Sequence, residues 1–185
     1  MIGVPGAGKS YFLSQYADAL FPKDSTVYIS SDEVRAELFP GKEFNPEQNF
    51  EVWEGGRGVK ARLARELLGG KSVVVDATFA NRGQRYDFIR FAREKGAEKV
   101  EGFFLDVPLE IALERNKQRE GGVEPGKRLV MPEAVEGMHR QITEIPPGMT
   151  DGFDAMLALG PDLKPVYEKF VDPEDSTRFI TRELQ

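Results

Sequence analysis

Short apolar runs alternate with amphipathic stretches along most of this chain. Four apolar runs are predicted strands: residues 26–29, 72–75, 99–105 and 155–159. The stretches between them have helical periodicity, and Gly or Pro residues stand at the joints. This alternation is typical of βαβ units, in which helices cover both faces of a parallel sheet. The pattern therefore predicts an α/β fold.

The predicted helices carry ordinary start and stop signals. Val59, Leu63 and Leu67 recur every four residues, which gives that helix one apolar face, and Gly69 follows as a C-terminal cap. Further helices are predicted over residues 10–20 and 83–95, from Pro108 onward, and after Pro132. We predict a loop over the Gly- and Pro-rich residues 121–127.

The chain begins with a glycine-rich loop that fits a phosphate-binding motif at every fixed position. Residues 3–10 read Gly-Val-Pro-Gly-Ala-Gly-Lys-Ser. In the motif G-x-x-x-x-G-K-S/T, backbone N–H groups form an anion nest, the lysine reaches the β- and γ-phosphates, and the serine binds Mg²⁺. The alternative is a glycine-rich turn without a ligand. The predicted nucleotide contacts are Gly3, Pro5, Gly6, Ala7, Gly8, Lys9, Ser10 and Tyr11, with Ser10 also a metal ligand.

Composition narrows the chemistry that this loop can serve. The 185 residues include no Cys and one His, His139, which excludes a thiolate nucleophile and argues against a Ser-His-Asp triad. The formal net charge of −6 argues against broad, non-specific DNA binding. No apolar run approaches the roughly 18 residues of a membrane span, and the N-terminus lacks a signal peptide. We therefore expect a cytoplasmic protein without a membrane partner.

A carboxylate and an arginine follow the first predicted strand. Asp32 and Arg35 lie just beyond its carboxyl end, which is the ligand side of an open α/β sheet. Asp32 could take the proton from an attacking hydroxyl group, and Arg35 could hold an anionic group of the acceptor. The alternative is that Asp32 caps a helix and Arg35 is a solvated helical residue.

Two arginines stand just before the predicted loop at residues 121–127. Arg115 and Arg119 are four residues apart, so on one helix they would point the same way, about 6 Å apart at their bases. Such a pair can clamp the β- and γ-phosphates and neutralise charge on a transferred phosphoryl group. The alternative is a solvated basic face.

Taken together, these motifs resemble the kinase domain of phage and bacterial polynucleotide 5′-hydroxyl kinases, which belong to the P-loop kinase superfamily. The shared features are the glycine-rich loop, D-x-x-R at residues 32–35, Val-Asp-Ala-Thr at 75–78 and Arg-Asn-Lys-Gln-Arg at 115–119, in the right order over residues 1–145. The resemblance implies a three-layer P-loop NTPase fold, a parallel sheet in the order 2-3-1-4-5, and a helical lid over residues 115–145. It also suggests a phage or bacterial nucleic-acid repair setting.

The resemblance assigns roles to single residues. Asp32 is similar to the general base that deprotonates the acceptor hydroxyl, and Arg35 to the residue that grips the adjacent phosphate. Asp76 ends the second predicted strand and matches a Walker-B-like carboxylate in the Mg²⁺ or acceptor shell; the alternative is a strand-end turn residue. Arg82 would contact the acceptor. The cations expected to stabilise the transition state are Lys9, Arg115 and Arg119.

We therefore expect a kinase that uses ATP and Mg²⁺ and phosphorylates the 5′-hydroxyl end of DNA or RNA. A small-molecule kinase of the zeta-toxin or gluconate-kinase type is an alternative that the net charge of −6 favours. A P-loop ATPase without kinase activity is a third. We assign residues 1–160 to the kinase domain and residues 161–185 to a C-terminal extension without an assigned role.

The glycine-rich motif at residues 3–10 normally follows a buried strand, yet only Met1 and Ile2 precede Gly3. We therefore expect the central strand to be largely missing. An apolar segment added before Met1 should extend this strand and raise the melting temperature. The check is a thermal melt against the original chain, and an unchanged melting temperature would contradict the prediction.

Overall fold

Helices and strands alternate along the chain in a computed structural model, which describes residues 1–118, 129–175 and 177–184. The strands are β1 (Thr26–Ser30), β2 (Ser72–Asp76), β3 (Glu101–Leu105), β4 (Ala155–Leu159), β5 (Pro165–Val171) and β6 (Phe179–Glu183). The helices are α1 (Lys9–Leu20), α2 (Ser31–Leu38), α3 (Gln48–Glu54), α4 (Val59–Leu68), α5 (Arg82–Glu94), α6 (Leu109–Lys117) and α7 (Pro132–Glu144). The fold is α/β, as the hydrophobic pattern predicts.

The strands form two hydrogen-bonded ladders. β1 pairs in parallel with β2, and β3 pairs in parallel with β4. On the other edge of β4, β5 and β6 continue the second ladder in antiparallel fashion. The four predicted strands are therefore present and parallel within each pair.

The first residues of the chain lie between the two ladders. Ile2 forms a parallel bridge with Phe104 of β3. On the opposite side, the terminal ammonium group of Met1 donates a hydrogen bond to the Val75 carbonyl of β2, at 2.8 Å. In the predicted sheet order 2-3-1-4-5, strand 1 is the segment before the glycine-rich loop, and strands 2 to 5 are β1 to β4. That order requires residues 1–3 to lie between β2 and β3, and the bridge and this hydrogen bond put them there. The continuous sheet stays a prediction, because the two ladders are separate.

The strands β5 and β6 lie within the segment to which the sequence assigns no role. Their side chains are mostly exposed or half-buried. A strand without a buried face lacks the alternating pattern by which strands are predicted. Pairing with β4 nevertheless joins residues 165–171 to the ladder that contains β3 and β4.

The apolar face predicted for α4 is confirmed. Val59 and Leu63 are buried and Leu67 is half-buried, and the helix packs on β1 and β2. The short helix α3, in contrast, was not predicted. The indole ring of Trp53 in this helix packs on the ring of Phe79, with the centroids 5.5 Å apart.

Within the described residues, no helix is long and apolar enough to cross a membrane.

Candidate functional site

The glycine-rich loop adopts a backbone that only glycine accepts easily. Gly6 and Gly8 have φ angles of +86° and +101°. A Cβ atom on Gly6 would lie 2.1 Å from the carbonyl oxygen of Ala112, which is backbone of α6. The loop therefore needs glycine here both for its conformation and for its close approach to α6.

The lysine of the motif lies against the loop. Its Nζ atom donates hydrogen bonds to the carbonyl oxygens of Gly3, at 2.8 Å, and Val4, at 3.4 Å. Ser10 and Tyr11 follow in the first turn of α1 and are exposed, so the Ser10 hydroxyl can reach a ligand. Pro5 is half-buried and Ala7 is fully buried in the same loop.

Arg115 lies next to the loop. From α6, its Nη1 atom approaches the Ala7 carbonyl oxygen at 3.5 Å, and its Nη2 atom donates to the Pro161 carbonyl oxygen at 2.8 Å. The structure therefore brings one predicted cation to the phosphate loop. Arg119 and the predicted loop at 121–127 lie outside the described residues.

Asp32 stands in the first turn of α2, just beyond β1. The cap of this helix is Ser30, whose hydroxyl accepts a hydrogen bond from the Glu33 N–H at 3.4 Å. Because Ser30 is the cap and Asp32 lies within the helix, the alternative in which Asp32 caps the helix is wrong; the Asp32 side chain is exposed. Ser30 is paired with Asp76 in the β1–β2 ladder, so Asp32 and Asp76 follow neighbouring strands at one edge.

Arg35 is held by residues that the sequence analysis missed. Its Nη2 atom donates to the Asn49 side-chain oxygen at 2.6 Å, and its Nη1 atom donates to that of Gln48 at 3.4 Å. The ring of Phe44 lies under its guanidinium group, 4.9 Å from the ring centroid to Cζ. Gln48 and Asn49 carried no signal in the sequence, because a polar pair in the first turn of a short helix fits many roles.

Asp76 fits the chemistry of a Mg²⁺ site. Its Oδ1 atom is buried and has no hydrogen-bond partner among the described residues. A buried carboxylate oxygen without a partner is costly unless something else satisfies it. Among the described residues no cluster of three acidic or histidine side chains could hold a metal by itself. Since Mg²⁺ usually takes one or two protein ligands together with phosphate and water, Ser10 and Asp76 suit it.

Arg82, the first residue of α5, contacts the turn at residues 150–151. Its Nε atom donates to Asp151 Oδ1 at 3.2 Å, and its Nη2 atom donates to the Thr150 carbonyl oxygen at 3.4 Å. The side chain is still 49% exposed. The contact of Arg82 with an acceptor stays a prediction. The ion pair with Asp151 could not be seen in the sequence.

A small cavity of about 260 Å³ lies at the end of β3. Asp106, His139 and Val4 are among the residues that line it. Burial raises the pKa of the Asp106 carboxyl, and the nearby His139 partly opposes that rise. His139 is half-buried, with Nε2 at 3.2 Å from the Val107 carbonyl oxygen.

The family of the chain follows from a match over most of its length. The model of the AAA domain family matches residues 1–145. The chain belongs to the AAA domain family. It is thus a P-loop kinase-like domain, so the resemblance to the P-loop kinase superfamily is confirmed. A domain of this kind binds nucleotide, in keeping with the geometry of the loop.

The chain is similar to solved structures of low sequence identity, and those with a TM-score above 0.5 share its fold. A chain of the Pnkp1/Rnl/Hen1 RNA repair complex is 21% identical with a TM-score of 0.63, over 89% of this chain and 46% of that one. A chain of the PezAT toxin-antitoxin system of Streptococcus pneumoniae is 14% identical with a TM-score of 0.51, over 90% and 68%. The tunicamycin resistance protein of Deinococcus radiodurans is 16% identical with a TM-score of 0.47, over 77% of each chain.

The chain therefore spans about half the length of the RNA repair chain that it matches. No curated protein matches the chain.

We predict that Gly6→Ala destabilises the AAA domain and weakens nucleotide binding. The new Cβ would meet backbone at 2.1 Å, at a φ angle of +86°, so the loop or α6 must move. Strain of this kind costs about 2 kcal/mol, or roughly 4–8 °C in melting temperature. Thermal melts and binding of a fluorescent ATP analogue measure both effects.

The matched control is Gly56→Ala, because nothing lies within 4 Å of a Cβ atom there. Equal melting temperatures and equal nucleotide affinities for the two variants would contradict the prediction.

Proposed function

We propose that this AAA domain is an ATP-dependent kinase that phosphorylates the 5′-hydroxyl end of a nucleic acid. The observation that carries the proposal is the arrangement at one edge of the sheet. The phosphate loop lies beside Arg115, while Asp32 and Arg35 stand on the helix that follows β1. A phosphoryl donor and a hydroxyl acceptor could therefore meet between these groups.

The residues on the donor side would bind and polarise ATP. Backbone N–H groups of the loop cradle the phosphates, and Lys9 moves from its carbonyl partners to the β- and γ-phosphates. Arg115 would neutralise charge that develops on the transferred group, and Arg119 is proposed for the same role. Bound Mg²⁺, held by Ser10 and Asp76, would supply charge neutralisation between the phosphates.

The residues on the acceptor side would orient the attacking oxygen. Asp32 is exposed in the first turn of α2 and can accept the hydroxyl proton as the oxygen attacks in line. Arg35, one turn later, would hold the phosphate next to that hydroxyl. Gln48 and Asn49 hold its guanidinium group, which reduces the conformational freedom that binding has to remove.

A nucleic-acid acceptor gains support from the fold shared with a chain of an RNA repair complex. The net charge of −6 weakens this choice of acceptor without removing it, because a single strand end needs positive charge only locally, as at Arg35. The same charge keeps a small hydroxyl compound open as the competing acceptor class.

The proposal is tested by incubating the protein with γ-labelled ATP, Mg²⁺ and separate acceptors. We expect label on DNA or RNA oligonucleotides that begin with a 5′-hydroxyl, and none on the same oligonucleotides with a 5′-phosphate. If label appeared on one of a panel of sugars and on no oligonucleotide, the acceptor would be a small hydroxyl compound instead of a nucleic acid. Release of free phosphate alone would overturn the kinase proposal.

We predict that Asp32→Asn abolishes transfer but leaves ATP binding intact. Removing a general base typically lowers kcat by about 10²–10⁴-fold, whereas the nucleotide contacts lie on the phosphate loop. The control is Glu33→Gln, which neutralises the adjacent exposed carboxylate of the same helical turn. Near-normal turnover of Asp32→Asn, or an equal loss in both variants, would contradict the assignment.

A further inference from the structure

A buried arginine outside the predicted site ties three segments together. Arg85 of α5 and its partner Asp151 are each 1% exposed, and Nε donates to Asp151 Oδ2 at 2.6 Å. Its Nη1 atom donates to the carbonyl oxygens of Phe79 and Ala80, at 3.1 and 2.8 Å. Its Nη2 atom donates to the Ile145 carbonyl oxygen at 2.9 Å. Every nitrogen of the guanidinium group is thus engaged, and the bonds reach residues 79–80, 145 and 151.

Arg85 holds one side of the segment 77–81, which connects β2 to α5. The other side is held by the phosphate loop, because the Gly3 N–H donates to the Thr78 carbonyl oxygen at 3.2 Å. Three consecutive carbonyl groups, those of Thr78, Phe79 and Ala80, therefore have fixed partners. The segment is pinned between the phosphate loop and Arg85.

The backbone of this segment is strained at Phe79. Its φ angle is +48°, in the left-handed region that residues with a side chain seldom adopt. Such a conformation persists only when its surroundings hold it. The bonds from Arg85 hold the backbone, and the ring packs on Phe88 with the centroids 5.0 Å apart.

The strained segment begins directly after Asp76, the residue whose buried Oδ1 atom suits Mg²⁺. Asp76 and the phosphate loop are the two parts that must meet around a metal–nucleotide complex. The Gly3–Thr78 hydrogen bond sets their spacing from one side, and Arg85 prevents the segment from moving away on the other.

We propose that Arg85 is a positioning residue for the metal side of the site. It touches neither nucleotide nor acceptor, and it acts by holding the segment 77–81, and through it Asp76, at the distance from the phosphate loop that Mg²⁺·ATP requires. The proposal rests on the nucleotide and Mg²⁺ site of the proposed kinase, but not on the identity of the acceptor.

The chain offers a matched control on the same helix. Arg93 also bridges α5 to the segment before β4, with Nη2 at 2.7 Å from Asp154 Oδ2 and 3.2 Å from the Gly152 carbonyl oxygen. It makes no bond to the segment 77–81 in the described structure. Arg85→Lys and Arg93→Lys therefore remove similar bonds from the same helix, and only the first removes contacts with Phe79 and Ala80.

The test is a titration with Mg²⁺ of the protein bound to a fluorescent ATP analogue, together with thermal melts. For Arg85→Lys we expect the half-saturating Mg²⁺ concentration to rise about tenfold or more, as for other residues that orient metal ligands. Binding of the analogue in EDTA should change by no more than about twofold, and Arg93→Lys should stay within about twofold of the original protein in both measurements.

An unchanged half-saturating Mg²⁺ concentration in Arg85→Lys, or an equal rise in Arg93→Lys, would overturn the proposal and leave Arg85 a purely structural residue. If Arg85→Lys does not fold, Asp151→Asn weakens the same anchor, and its Mg²⁺ titration decides in the same way. The Mg²⁺ titration contains no acceptor, so its result does not depend on which acceptor the protein uses. A failure to phosphorylate oligonucleotides would therefore count against the proposed function and not against this role of Arg85.

Discussion

The close backbone contacts of the phosphate loop are the constraint on which the rest of the site depends. The loop starts from Ile2, which is bridged to β3, and Gly3, which is bonded to the segment after β2. At Gly6 it touches the backbone of α6, so closely that no side chain fits between them. Because α6 also carries Arg115, the contact that shapes the loop brings a cation to its rim. The two strands thus fix the position of the loop, and the close contact at Gly6 fixes α6 relative to the loop.

Charge is distributed locally in a chain that is acidic overall. Lys9, Arg35 and Arg115 each lie on or near the site, and within the described residues carbonyl and amide oxygens accept hydrogen bonds from each of them. Neutral acceptors hold a cation in place without cancelling its charge. A net charge of −6 is therefore compatible with binding phosphate groups at one edge of the sheet.

Local patterns made the phosphate loop and the four parallel strands predictable. The loop is a continuous motif, and each of those strands is a short apolar run. The roles of Asp32, Arg35 and Asp76 came from their position after strands together with a family resemblance, and the tests above address them. The helix α3 and the strands β5 and β6 were missed, because a short helix and two largely exposed strands leave no clear periodicity.

The sequence by itself determined the α/β class, the phosphate-binding loop and the exclusion of cysteine chemistry, since each depends on residue types and on neighbours close in the chain. Only the tertiary structure decided what surrounds these groups. Arg85 and Asp151 are 66 positions apart, and neither stands in a recognisable motif. Their pairing exists because packing buries both, and a buried charge must find its partner wherever the fold brings one. The same holds for Asn49 beside Arg35, which no local spacing indicates.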